Sequence, residues 1–399
     1  MDVNQPLPLL AGLTPAQFMR RHWQKKPLLV RAALPDFQPV LTRPALFKLA
    51  AQAEVESRLI VQNKADWQMT QGPFAPRSLP ALNKAAWTLL VQGVDAHNHK
   101  AYELLQQFRF IPDARLDDVM VSFATTGGGV GPHFDSYDVF LLQASGRRRW
   151  KISKQKDLTL QPDAPLKILQ NFVAEEEFLL EAGDMLYLPP RYAHEGVAEA
   201  AVAPDGKAAD CMTYSIGFRA PSKRELAAEL LHRLAEFSEN EEDVPAGVAP
   251  RGEYARARYR DPDQLATSTP GAVPEGLAAF ATQAVHEALQ DPLAVACALG
   301  EYLTELKPSV WFEEVTASWE PQDMVSLCLA PQTRMLYDLH HVFINGESYL
   351  AKGVDARLMH RLADQRKLSS GELAKASPSA QNLLADWHNA GWLVGMPYR

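Results

Sequence analysis

One stretch restricts this 399-residue chain more than any other: Gly127-Gly128-Gly129-Val130-Gly131-Pro132-His133-Phe134-Asp135. Residues two apart on a strand face the same side, so His133 and Asp135 can point together into a barrel. The glycines before them let the backbone turn tightly and approach its neighbours closely. Of the eleven histidines, only His133 has an acid two positions later.

A second unit completes the pattern: Gly183-Asp184-Met185-Leu186-Tyr187-Leu188-Pro189-Pro190-Arg191-Tyr192-Ala193-His194. A Gly-Asp turn leads into an apolar strand, then Pro-Pro, then a histidine opening the next strand. That order predicts His194 opposite His133 and Asp135. Two histidines and one carboxylate on one face of an octahedral ion make the facial triad of non-haem Fe(II) oxygenases, with the other face open to a co-substrate and dioxygen. A lone H-x-D is a chance pattern; the pairing of both units carries the reading. His97-Asn98-His99 has no third ligand nearby and reads as surface. His340, His341 and His388 read as packing or surface residues.

Gly146-Arg147-Arg148-Arg149-Trp150-Lys151-Ile152 follows a turn. On a strand, Arg148, Trp150 and Ile152 share one face, and Arg149 and Lys151 the other. The apolar companions put Arg148 inward. A guanidinium inside a barrel needs an acid partner, and the far carboxylate of 2-oxoglutarate is a natural bidentate one. Asp118, Met120 and Ser122 also share a face. Ser122 can donate to a co-substrate carboxylate. Asp118 can hold a cationic substrate side chain, or face water as an acid at a strand end. Tyr137, two past Asp135, shares the inward face if that strand continues.

These residues sit in a distinct texture. From about 117 to 220, short β-favouring runs alternate with turns, among them Pro204-Asp205-Gly206, which predicts a sandwich or barrel. Residues 40–110 are mostly helical in pattern. Thr14-Pro15-Ala16-Gln17 is a capping box with Pro at the first helical position, opening a helix that ends near Lys25-Lys26-Pro27, with a short strand at Leu28-Leu29-Val30. Ser222-Lys223-Arg224-Glu225 opens another, with Leu226, Leu230, Leu234 and Phe237 on one stripe. Residues 239–275 read as a polar, Pro-rich connection. Helices follow, around an Asn345-Gly346 hairpin, and fit a winged-helix-like module.

Charge narrows the partners. The formal net charge is −8. From 301 to 399, nine Lys and Arg stand against twelve Asp and Glu, a balance of −3. Neither value suits DNA binding, which needs a basic surface; a basic protein partner suits both. Three scattered cysteines, Cys211, Cys297 and Cys328, form no disulfide framework, so a reducing cytoplasm is expected. Met1-Asp2-Val3 has an acid where a secretion signal carries Lys or Arg, and no run is long and apolar enough for a membrane helix.

The segment from His133 to Trp150 and the unit from Gly183 to His194 resemble the JmjC-type ribosomal oxygenases. The bacterial branch, arginine 3-hydroxylases of large-subunit ribosomal protein sixteen, looks most similar. Phe18 through Pro27 and Phe218-Arg219-Ala220-Pro221-Ser222 add to the resemblance. It implies an α+β chain: a double-stranded β-helix (cupin/JmjC) barrel in residues 1–220, a helical dimerisation region in 221–300, and a winged-helix-like domain in 301–399. It further implies Fe(II), 2-oxoglutarate, and hydroxylation of a basic ribosomal protein by a homodimer. Two alternatives stay open: a cupin small-molecule dioxygenase or isomerase without 2-oxoglutarate, and a winged-helix regulator with a sensing barrel. Histidine or lysine hydroxylation shares the same scaffold.

Overall fold

The computed structural model describes residues 2–34, 37–63, 66–202, 206, 208–236, 257–263, 265–266, 269–308, 310–313 and 324–397. Pro204, Asp205, Phe237 and much of the 239–275 connection lie outside these. The chain divides into two units, Met1–Ala220 and Pro221–Arg399.

Among the described residues, the first unit holds eleven strands: β1 (Leu28–Val30), β2 (Ser57–Asn63), β3 (Asp66–Gln71), β4 (Trp87–Val91), β5 (Leu116–Ala124), β6 (Val139–Ser145), β7 (Arg147–Ser153), β8 (Glu176–Leu180), β9 (Met185–Leu188), β10 (Ala193–Glu199) and β11 (Cys211–Phe218). Eight form an antiparallel sheet in the order β1-β9-β6-β11-β5-β4-β2-β3; the others form a sheet ordered β10-β7-β8. Strand alternation sorts the residues into two cores. Val119, Val121 and Phe123 of β5, with Phe140 and Leu142 of β6, pack with Phe18 and Leu46 in the main core. Val139 and Leu141 of β6, with Leu186 and Leu188 of β9, face the other way and meet Trp150 and Ile152 of β7 and Leu180 of β8. Each such side chain contributes roughly 1.5–3 kcal/mol on burial. Two sheets facing each other across this second core are the double-stranded β-helix expected from the sequence.

Phe18 lies on α1 (Pro15–Arg21), whose Thr14–Gln17 capping box forms as expected. The helix stops at Arg21, before Lys25, because the chain turns at Gln24 (φ 56°) and His22 Nδ1 reaches forward to the Pro27 carbonyl. Leu46 lies on α2 (Arg43–Leu49). Residues 40–110 are otherwise not mostly helical. Three strands, β2, β3 and β4, run through them, with a 3-10 turn (Pro76–Ser78) and the short helices α3 (Val94–His97) and α4 (His99–Gln106) beside them. β2 and β4 are buried enough to lose visible alternation, and β3 is an edge strand exposed along one side.

The second unit opens with α5 (Lys223–Glu236), α6 (Glu275–Ala288) and α7 (Pro292–Thr304). Asp291 caps α7, its side chain accepting from the backbone N–H groups of Leu293 and Ala294. Leu230 and Leu234 of α5 pack on Ala294, Cys297 and Ala298 of α7. α6 has no buried residue. Gly300 of α7 lies against Phe343, whose ring carbons stand 2.4 Å from where a Cβ would be. α7 runs across the boundary expected at residue 300. β12 (His341–Ile344) and β13 (Glu347–Leu350) form the expected hairpin, with Asn345 and Gly346 both at positive φ. Helices Gly353–Gln365 and Pro378–Asn389 pack on it in a separate core with Leu327, Leu368 and Leu393, which fits the winged-helix expectation.

Candidate metal centre

The ligand-bearing stretch is extended but is not a regular strand. His133 makes a single bridge to His194, in which each backbone N–H donates to the other's carbonyl, at 2.9 and 2.8 Å. Upstream, Gly127 N–H donates to Ala198 O and Ala198 N–H to Gly128 O. Residues 127–133 therefore run beside β10. Their approach depends on glycine: a Cβ on Gly129 would stand 2.6 Å from the Gly196 carbonyl.

His133, Asp135 and His194 come together as predicted. One ligand atom from each lies within 4.8 Å of the others. His194 Nε2 is 3.6 Å from Asp135 Oδ2, and the two imidazole centroids are 4.2 Å apart. Each ring is oriented by its own backbone: His133 Nδ1 donates to Gly131 O and His194 Nδ1 to Tyr192 O, both at 2.9 Å. A carbonyl only accepts, so the proton sits on Nδ1 and Nε2 carries the lone pair a metal needs. Burial of His194, reinforced by His133 and opposed by Asp135, lowers its pKa to about 4. Two imidazole nitrogens and a carboxylate fit a divalent iron site with an open face. Of the other histidines, His99 is exposed and pairs with Glu103, His97 is half-buried rather than at the surface, and His341 and His388 are buried in the second unit.

Arg148 points inward, in the expected register. It is 4% exposed, while Arg147 pairs with Glu181, and Arg149 with Glu177 and Glu199. Its guanidinium lies 5.8 Å from the Trp150 ring. Nε and Nη2 of Arg148 are buried without a hydrogen-bond partner among the described residues. A buried unsatisfied donor is costly, and on a cation more so, so this group is poised for an anion. The far carboxylate of 2-oxoglutarate fits that requirement. Ser122 is buried on β5, its hydroxyl donating to Thr213 O at 3.3 Å. Asp118 shares that face, is 4% exposed, and accepts from Gln92 Nε2.

Tyr137 differs from its expected setting. β6 begins at Val139, so Tyr137 sits in a bend and is 40% exposed. Partial burial, then the fields of Asp135, Asp118 and Asp117, raise its phenol pKa, with Arg58 opposing. It thus stands in the field of the same carboxylates that the strand argument invoked. Sequence reasoning missed Gln92. The run Trp87-Thr88-Leu89-Leu90-Val91 is β-favouring, and Gln92 continues the parity of Thr88 and Leu90, a signal legible only once that run is taken as a strand.

A family model for the JmjC domain matches residues 103–226, and one for a ROXA-like winged helix matches 287–394. The chain is 40% identical over 210 residues to the ribosomal protein uL16 3-hydroxylase of Escherichia coli, covering 52% of this chain and 53% of that protein. It superposes on the X-ray structure of E. coli ycfD with a TM-score of 0.77 at 30% identity, covering 96% of this chain and 98% of the other. The chain belongs to the JmjC ribosomal oxygenases. A further E. coli structure of this family, solved in complex with cobalt and 2-oxoglutarate, matches with a TM-score of 0.75 at 28% identity. In sequence, the match spans about half the length of the curated ribosomal oxygenases, 53% and 57% for two of them. No helix among the described residues of this JmjC chain is long and apolar enough to cross a membrane.

Proposed function

We propose that this chain is an Fe(II)- and 2-oxoglutarate-dependent oxygenase that hydroxylates an arginine side chain of a large-subunit ribosomal protein. The observation that carries the reading is buried Arg148, whose Nε and Nη2 have no hydrogen-bond partner among the described residues, inside the same barrel as the His133, Asp135 and His194 cluster. A cupin enzyme without a dicarboxylate co-substrate has no use for that cation. The E. coli relatives, one a uL16 3-hydroxylase and one solved with cobalt and 2-oxoglutarate, support the same reading.

His133, Asp135 and His194 hold the iron. Arg148 takes the far carboxylate of 2-oxoglutarate bidentately, with the Ser122 hydroxyl rotating from Thr213 O to serve as a second donor. When bound, iron and 2-oxoglutarate supply the oxidising chemistry: dioxygen and 2-oxoglutarate are consumed, succinate and carbon dioxide leave, and one oxygen atom enters a substrate C–H bond. The chain's own residues orient and enclose. Asp118 accepts from the substrate guanidinium, and Tyr137 packs beside it, its ring suited to stacking on a planar cation. Together they place one methylene near the metal, and that placement selects the carbon.

The acidic balance suits a basic ribosomal protein as substrate, and a cytoplasmic site of action goes with it. The region 221–300 serves dimerisation: Leu277, Val285 and Leu289, in or just past α6, are 38%, 50% and 48% exposed, a face that a second copy would cover. The deciding experiment incubates the purified chain with Fe(II), 2-oxoglutarate and recombinant uL16. Succinate release with a one-oxygen mass gain on an arginine is expected. Succinate release without uL16 modification would reject the substrate, and none at all would reject the oxygenase.

A further inference from the structure

We propose that Gln92 is a positioning residue that sets the plane of the Asp118 carboxylate, and thereby the preference of the site for a guanidinium over an ammonium. The inference rests on the reading of Asp118 as the substrate's acceptor. Gln92 lies just past β4, and its backbone N–H is tied to Glu56 O at 2.9 Å. Its Nε2 donates to both oxygens of Asp118, at 3.0 and 2.9 Å. Behind it, Arg58 Nη2 donates to Gln92 Oε1 at 3.3 Å. Arg58 is on β2 and Asp118 on β5, so three side chains form a relay across neighbouring strands β2, β4 and β5.

The relay admits one orientation of the amide. A guanidinium only donates, so it must meet the amide oxygen; a carboxylate only accepts, so it must meet the amide nitrogen. With Arg58 on one end, Gln92 cannot flip, and its nitrogen straddles the two Asp118 oxygens. That fixes the carboxylate against rotation about its terminal torsion, which is otherwise broad. Each oxygen carries two lone pairs, so accepting from Gln92 does not exclude a second donor.

The plane matters for one class of substrate and not for another. Arginine pairs with a carboxylate through two parallel N–H···O bonds, which require the two planar groups to be nearly coplanar. A lysine ammonium is a compact charge with rotatable donors, indifferent to that plane. A preset carboxylate therefore favours arginine selectively. Were Gln92 only a tie between strands, its loss would weaken both substrates alike.

The test uses the full chain loaded with cobalt and 2-oxoglutarate, and two labelled basic peptides identical except for a central arginine or lysine, with binding read by fluorescence anisotropy. Gln92→Met should weaken the arginine peptide about tenfold and the lysine peptide by less than about twofold. Arg58→Met, which frees the amide to flip, should move the same ratio in the same direction by less. Gln92→Glu keeps the Arg58 contact, so the fold is retained, but sets a second carboxylate against Asp118; it too should lose the discrimination. Equal loss for both peptides, or unchanged arginine binding, overturns the proposal. Asp118→Ala separates the two layers. If it weakens the arginine peptide and Gln92→Met does not, only the positioning role fails. If it affects neither peptide, the substrate reading fails and the positioning role with it.

Discussion

The indole of Trp150 occupies the space that a side chain on Gly196 would need: a Cβ there would stand 2.6 Å from the ring carbons. The two residues are opposite each other on β7 and β10. From this seat the ring reaches both functional halves of the barrel, 5.8 Å from the Arg148 guanidinium and 5.8 Å from the His194 imidazole. Gly196→Ala should therefore displace a rigid ring that has no room to give. Overpacking of this kind costs about 1–3 kcal/mol. The expected result is a lower unfolding midpoint together with a raised KM for 2-oxoglutarate, checked by urea titration and succinate release. A loss of stability with an unchanged KM would mean that Trp150 does not hold Arg148.

Removing one member of the triad should abolish metal binding without unfolding the barrel. His133→Ala and Asp135→Ala leave two ligands, which hold a labile divalent ion poorly. The core between the sheets is built from Val139, Leu141, Leu186 and Leu188, none of which depends on the metal. Calorimetric titration with cobalt should lose its high-affinity phase in both variants, while the far-ultraviolet circular dichroism stays the same. Full turnover in both would sink the ligand assignment.

Arg148 makes an unusual prediction because its buried Nε and Nη2 have no hydrogen-bond partner among the described residues. Arg148→Met should leave the ligand-free chain as stable as the parent, or more so, since it removes a buried unsatisfied cation. The same change should abolish the thermal stabilisation that added 2-oxoglutarate gives the parent, and raise KM for it. Charge-assisted bonds of about 1.5–3 kcal/mol each set the scale. Arg149→Ala should do far less, because Arg149 spends its donors on Glu177 and Glu199 at the outer face. A larger defect from Arg149→Ala would show the co-substrate entering elsewhere.

The residues that were legible share a cause. His133, Asp135 and Arg148 could be placed because each belongs to a short motif with an apolar or glycine neighbour of known parity, such as Trp150 and Ile152 beside Arg148. β2 to β4 were not legible. Val61, Trp87 and Val91 are buried on one face and Ile60 and Thr88 on the other, so polar alternation disappears and the run imitates a helix. That misreading concealed Gln92. Tyr137 was placed by a strand that does not yet exist at its position. It still stands in the field of Asp135 and Asp118. The burial of Leu230 and Leu234 within the second unit was invisible for a simpler reason: an apolar stripe does not say what covers it.

Acid should destabilise the metal-free protein through His194. The groups named around it are His133, Asp135 and the Trp150 ring, and it is 2% exposed. Burial holds its pKa down from 6.5 to about 4, so the folded state takes up this proton later than the unfolded state does. Between those values the unfolded chain binds more protons, and stability rises with pH. The contribution is fully present above pH 6.5, declines as pH falls, and is gone once pH has passed through about 4. The gap corresponds to about 3 kcal/mol at most. Unfolding free energies measured in urea from pH 7.5 to 4, without metal, should fall along this window in the parent. In His194→Gln, which has no proton to take up at that position, the fall should be shallower by up to the same amount. Parallel curves for the two proteins would show that His194 is not held neutral by the fold, and that the site does not present a ready lone pair to the metal.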